Sequence, residues 1–281
     1  MGSVTKSLNE PIETNLGKAA YDIVLQNPVR RGVPEDVSAQ LLDRVTITQL
    51  LSHTAGTTAS GFMGYSPQSD HVKIGGSTIL QAMLENIARD LGFLSYEPLM
   101  KEKVLDPLGM TRSFYCDAVP RSLRRSEDNY ATAYQNGTYP VENGESSHVY
   151  PEQGAAGLWT TSLDLIKGLL GVAHTALETP SAVKLDGHPW IRPDIAQEIF
   201  KKRPGLGSQR DAYYCGLKVE FLDGEDGFPG DERLVRISDS GGNEGYGCWH
   251  AASFSLPGTV DAWGEIVIHA MACMTNSKRW R

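Results

Sequence analysis

The sequence predicts an α/β fold in which a large all-helical region, about residues 35–205, is followed by an antiparallel sheet over about 210–277, with helices flanking the sheet. Three observations predict it. Apolar residues recur at helical spacing in 79–87, 97–104, 163–170 and 195–200. After residue 210 the period becomes that of strands, in 213–221, 234–237, 248–254 and 265–274, separated by Gly, Pro and Asp turns, which is the pattern of a meander. The 281 residues, read as one domain spanning 1–281, can bury a substantial core, and they carry no internal repeat, low-complexity tract or long linker.

In chain order, the first motif is Ser3-Val4-Thr5-Lys6. On a helix this spacing leans a hydroxyl and an amine toward the same spot. A serine hydroxyl becomes a useful nucleophile only when a neighbour takes its proton, and lysine does so once burial or a nearby cation lowers its pKa from about 10.4. The stretch Ser7-Leu8-Asn9-Glu10-Pro11 is polar and broken by proline, so no long buried helix runs on from the motif. A helical pattern resumes at 18–25, and Pro28 and Pro34 then mark irregular chain. In Val45-Thr46-Ile47-Thr48-Gln49-Leu50-Leu51-Ser52-His53-Thr54-Ala55-Gly56, Thr46 or Thr48 is placed to cap a short helix ending at Gly56.

These segments and those after them, in the same order, resemble the serine β-lactamase-related hydrolases: class C β-lactamases, D-Ala-D-Ala peptidases, and the esterases and acyltransferases that share their fold. Val104-Leu105-Asp106-Pro107-Leu108-Gly109-Met110-Thr111 resembles that family's P-L-G-M turn. Tyr150-Pro151-Glu152 and Ala155-Ala156-Gly157-Leu158-Trp159-Thr160-Thr161 with Asp164-Leu165 resemble its A-A-G-G-L segment. Ser240-Gly241-Gly242-Asn243-Glu244-Gly245-Tyr246 resembles H-S-G-G-x-x-G-F, and Met274-Thr275-Asn276-Ser277 the closing L-T-N-S. The resemblance implies a β-lactamase/transpeptidase-like fold with Ser3 as nucleophile and Lys6 as its base. It also implies strands before the nucleophile and a C-terminal helix on the sheet. This sequence carries neither, so a member short at both ends is expected, with an incomplete sheet whose exposed edge invites self-association.

The family site has two further parts, and both depart here. A motif tyrosine belongs just before the helix at 79–87, where this chain reads Val72-Lys73-Ile74-Gly75-Gly76-Ser77. Tyr65 falls in a matching loop without being the motif tyrosine and is a candidate substrate-binding residue, while Tyr134 in Tyr134-Gln135-Asn136 reads as a turn-flanking aromatic. At the third element, relatives carry His or Lys before the glycines, and this chain has Asp239 followed by Ser240, Gly241 and Gly242. Those four residues are the candidate substrate-binding strand, open to close approach at the glycines and stripped of the positive charge.

Composition bounds the partners. A formal net charge of −8 with no Lys/Arg run longer than three residues argues against nucleic acid and anionic membranes and for a small-molecule acyl substrate. The apolar stretch 264–274 is too short to span a bilayer and is interrupted by His269. Cys116, Cys215, Cys248 and Cys273 lie far apart without C-x-x-C and read as reduced thiols of a cytoplasmic protein. The seven histidines are scattered, so no metal is expected, and Gly205-Leu206-Gly207 lacks the strand context of a nucleotide loop, so no cofactor is expected either. Two classes of function remain. The first is a serine hydrolase or acyltransferase working through an acyl-serine on an ester, thioester or amide. The second is a catalytically degenerate member that binds a ligand or partner.

Overall fold

The computed structural model describes residues 32, 34–55, 76–116, 131, 133–135, 139–140, 150, 152–199, 211–214, 216–222, 234–243, 245–255 and 268–275. Ser3, Lys6, Tyr65 and the expected helix at 18–25 lie outside them.

Helix α1 (Glu35–Leu42) enters from Pro34, whose ring holds φ at −55°, and places Glu35 and Asp36 at the positive end of the helix dipole. Helix α2 (Ile47–Leu51) starts on a reciprocal capping box. The Thr46 hydroxyl accepts the Gln49 N–H at 3.2 Å, and the Thr46 N–H donates to Gln49 Oε1 at 2.8 Å. It stops earlier than the glycine at position 56 suggests. Ser52 is the C-cap and His53 takes φ 56°. The His53 and Thr54 N–H groups then donate to Leu50 O at 3.3 Å and Gln49 O at 2.9 Å. This pair of bonds closes the helix in the manner usually served by glycine, and histidine is among the side chains that tolerate the left-handed region best.

The helical periodicity is matched by α3 (Gly76–Asp90), α4 (Tyr96–Met100) continuing into a π turn (Lys101–Leu105), α6 (Ser162–Ala176) and α7 (Pro193–Glu198), while the short α5 (Gln153–Ala156) lies outside the stretches read as helical. Between them lie small ribbons that the sequence does not foretell. They pair β1 (Phe114–Tyr115) with β4 (Leu158–Trp159), β2 (Tyr134–Gln135) with β3 (Tyr139–Pro140), and β5 (Lys184–Leu185) with β6 (His188–Pro189). The last pair turns on Asp186 (φ 50°) and Gly187 (φ 82°), the two left-handed residues of a tight hairpin.

The sheet is a meander of β7 (Asp211–Tyr214), β8 (Leu217–Leu222), β9 (Leu234–Gly241), β10 (Gly247–Ser255) and β11 (Ile268–Thr275), ordered β11-β10-β9-β8-β7 with every pair antiparallel. The stretch 213–221, expected as one strand, is a hairpin that reverses at Gly216 (φ 92°). The strand expected at 234–237 runs on to Gly241.

Helix α6 covers one face of this sheet. Its Leu169 and Ala173 and its C-cap Leu177, four residues apart, form one core with Val219, Val235, Ile237 and Ala252. Each large aliphatic side chain so buried contributes about 1.5–3 kcal/mol. A second cluster, Leu105, Leu108 and Met110, sits where the π turn meets α6. Gly109, at φ 64°, reverses the chain between Leu108 and Met110 so that both turn inward. Gly171 of α6 makes room for them, since a Cβ there would stand 2.2 Å from Leu108 Cδ2. The turn is pinned by Asp164, only 2 % exposed. Its carboxylate accepts the Arg112 N–H at 2.8 Å, the Ser113 hydroxyl at 2.9 Å and the Lys167 ammonium at 2.7 Å. Lys167 also donates to Gly109 O at 2.5 Å.

Candidate active site

Asp239, Ser240, Gly241 and Gly242 form the end of β9 and the first step beyond it. Strand β10 follows β9 through the pairs His250↔Asp239, Trp249↔Ser240 and Cys248↔Gly241. Strand β8 pairs with β9 only from Leu222↔Leu234 to Lys218↔Ser238. Among the described residues, no strand pairs with the last three residues of β9 on the β8 side, which leaves main-chain edge for an extended ligand to lie against. Ser240, Gly241 and Gly242 are exposed and Asp239 is half-buried. The Asp239 carboxylate turns back to accept the Ser240 N–H at 2.7 Å.

Three other stretches converge on this strand end. The Asn243 side-chain amide donates to Ala156 O at 3.0 Å, tying the glycine turn to the segment Ala155-Ala156-Gly157. Trp159 and Tyr246 meet edge to face at 6.0 Å, and the Tyr246 hydroxyl donates to Ala131 O at 2.7 Å. Behind them a polar rail runs back to α3. The Gly154 N–H donates to Gln81 Oε1 at 2.8 Å, and the Gln81 amide donates to Glu85 at 3.1 Å. Glu85 in turn accepts the Tyr96 N–H at 3.2 Å, and the Gln153 amide donates to Glu97 at 2.9 Å. On the other flank, the Gly216 N–H at the β7–β8 turn donates to Leu51 O at 2.8 Å, which anchors α2 and the Ser52-His53-Thr54 turn beside the sheet. Four segments separated by up to about 190 residues in sequence thus meet around one open strand end.

The electrostatics are set by one acid and one imidazole. His250 lies directly opposite Asp239; burial pushes its pKa below 6.5 while the Asp239 charge pulls it up. Its Nδ1 is buried with no hydrogen-bond partner. The Cys248 thiol stands near Gly241, within 3.7 Å of the position a Cβ would take there. Burial raises its pKa and the Asp239 charge adds to that, against a hydrogen bond from the Gly241 backbone. Cys248 is therefore held as the thiol at neutral pH. Tyr96 and Tyr115 pack edge to face at 5.2 Å, and burial raises the pKa of both.

Of the candidate residues, the structure brings Asp239, Ser240, Gly241 and Gly242 together, while Ser3, Lys6 and Tyr65 lie outside the described residues. Sequence reasoning passed over His250 as one of seven scattered histidines. A signal was available: the turn closed by the Tyr246 N–H on Asn243 O fixes a hairpin register that puts position 250 opposite 239. Among the described residues, no group of three or more His, Cys, Asp or Glu side chains is placed to hold a metal ion, and no helix is long and apolar enough to cross a membrane.

A family model described as Beta-lactamase matches residues 2–207. The match takes in Ser3-Val4-Thr5-Lys6 and the whole helical region, and ends before the sheet begins at Asp211. No curated protein matches the chain.

Proposed function

The chain belongs to the β-lactamase family, and from that premise we propose that it is a serine hydrolase or acyltransferase working through an acyl-serine intermediate. Ser3 Oγ attacks the carbonyl carbon of an ester, thioester or amide, and neutral Lys6 takes the hydroxyl proton and returns it to the departing group. Water or an acceptor alcohol then releases the acyl group from Ser3. Backbone N–H groups stabilise the oxyanion, and the open end of β9 holds the acyl chain.

One observation carries this reading: the open strand end at Asp239–Gly242, which resembles the family's third site element, meets Ala155–Trp159, which resembles another segment of the family whose model also covers Ser3-Val4-Thr5-Lys6. Asp239 points to the substrate class. A fixed carboxylate at this position repels an anionic substrate and spares a neutral one. Neutral esters and thioesters are therefore the expected substrates.

The test is intact-mass measurement after exposure to a fluorophosphonate. One adduct on Ser3 is expected, absent in Ser3→Ala and formed ~10²–10⁴-fold more slowly in Lys6→Ala. Labelling elsewhere, or none, overturns it. The second reading, binding without turnover, is favoured by the acidic residue at the third element and by the lack of a tyrosine just before α3. It predicts reversible ligand binding with no adduct.

A further inference from the structure

Strand pairing puts an imidazole beside the acid of the candidate site. In β9 the side chains of Val235, Ile237, Asp239 and position 241 share one face, and in β10 those of Ala252, His250 and Cys248 share the same face, because each pairs across the ladder with one of them. Ile237 and Ala252 belong to the core beneath α6. Asp239 and His250 therefore continue the α6-covered face one step past the core, with Cβ atoms at the usual cross-strand separation of about 5 Å. Asp239 forms no ion pair with a described Lys or Arg, and its one hydrogen bond is with the Ser240 N–H. His250 Nδ1 is buried and has no hydrogen-bond partner. An acid without a basic partner thus faces an imidazole with an unused nitrogen.

We propose that Asp239 and His250 act as one unit at the acyl site, and that His250 is the residue that determines specificity between neutral and anionic substrates by setting the net charge of that unit. The inference rests on the acyl-serine reading above. With the imidazole neutral, the pair carries −1 and repels a carboxylate-bearing substrate. With the imidazolium, the pair is net zero and the repulsion is lifted. Burial of His250 keeps it largely neutral at pH 7, and protonation takes hold on the acid side of 6.5.

Among the other described groups around His250, burial lowers the pKa of His174 on α6 as well, and the His250→Gln variant separates the two imidazoles. On β10 the neighbour on the same face is Cys248, held as the thiol. On β11 the partners on that face are Ala270, Ala272 and Met274. On α6 the sheet-facing residues are Leu169, Ala173 and Leu177, while Asp164 and Lys167 are bonded to each other and to the 109–113 turn, and His174 Nδ1 is bonded to Thr179.

The test uses the full chain and two esters of like length and leaving group, 4-nitrophenyl butyrate and mono-4-nitrophenyl glutarate, with kcat/KM measured from pH 8 to pH 5. Titration of Ser3 and Lys6 affects both esters and cancels in their ratio. The neutral-to-anionic ratio is expected to fall by about tenfold as pH drops, after screening, and less at high salt. His250→Gln should keep the ratio high and independent of pH. Asp239→Asn should lower it at every pH. An NMR titration of the His250 ring gives a readout apart from activity, and its midpoint should fall in Asp239→Asn.

A ratio that is flat with pH in the unmodified chain overturns the inference while leaving the acyl-serine reading intact. So does a His250 midpoint unmoved by Asp239→Asn. Absence of any ester turnover together with absence of the Ser3 adduct overturns the acyl-serine reading itself, and the specificity role with it.

Discussion

Gly171 and Asp164 show how single residues of α6 hold the neighbouring turn. Replacing a glycine inside a helix by alanine ordinarily stabilises by about 1 kcal/mol. Here the new Cβ would stand 2.2 Å from Leu108 Cδ2, and repacking a filled core costs about 1–3 kcal/mol. Gly171→Ala should therefore destabilise on balance, and in a Leu108→Ala background the same change should turn stabilising. Urea denaturation of the four proteins of the cycle measures the sign reversal. Asp164 makes a pH prediction. Burial alone would raise its pKa, yet the hydrogen bonds from Lys167, Arg112 and Ser113 outweigh it and hold the pKa below 3.8. A carboxylate depressed in the fold stabilises above its unfolded pKa, and that stability is lost as pH falls through the folded value. Asp164→Asn should thus cost about 2 kcal/mol near pH 7, and the gap in Tm from the unmodified chain should begin to close as pH falls below 3.8. A gap constant with pH would mean that the carboxylate charge contributes nothing.

At the scale of elements, the short helix α2 is tied to the sheet, among the described residues, by the main-chain bond from Gly216 N–H to Leu51 O, and it starts on a capping box. Thr46→Ala should cost about 1 kcal/mol and should raise hydrogen exchange at the Gly216 amide more than at Val219 in the middle of β8. Equal changes at both would mean that α2 and the sheet open together. How far the elements could be read from the sequence follows the same physics. The apolar periodicity of 79–87 and 163–170 located α3 and α6, because a buried helix face must repeat. The ends were off by several residues because small and polar residues such as Gly76, Ser77, Gly171 and Thr175 carry the helices on without an apolar period. Strand β9 was expected to stop at Ile237, since Asp, Ser and Gly are poor strand formers, and it is the ladder with β10 that carries it to Gly241. The ribbons β1 with β4 and β5 with β6 are too short to set any period. Of the site, the glycine strand could be read through its motif, while the Asp239 and His250 pairing belongs to register and not to either residue's own neighbourhood.

For the molecule as a whole, the described meander ends in two outer strands, β7 and β11, and among the described residues neither has a further strand beside it. If those edges are free, the protein self-associates through them, and sedimentation velocity should show a coefficient that rises with concentration; a single monomer species over a hundredfold range would refute it. The meander also sets the timing of assembly. Leu169, Ala173 and Leu177 of α6 find their core partners in Val219, Val235, Ile237 and Ala252, so the helix is made first and its partners come last. Leu177 precedes Ala252 by about 75 residues, and at roughly 5–20 residues per second of synthesis the apolar face of α6 waits on the order of 4–15 s on the ribosome. During that interval the nascent helix is a client for any chaperone that grips three aliphatic residues one turn apart, and the release of that grip coincides with the emergence of β10.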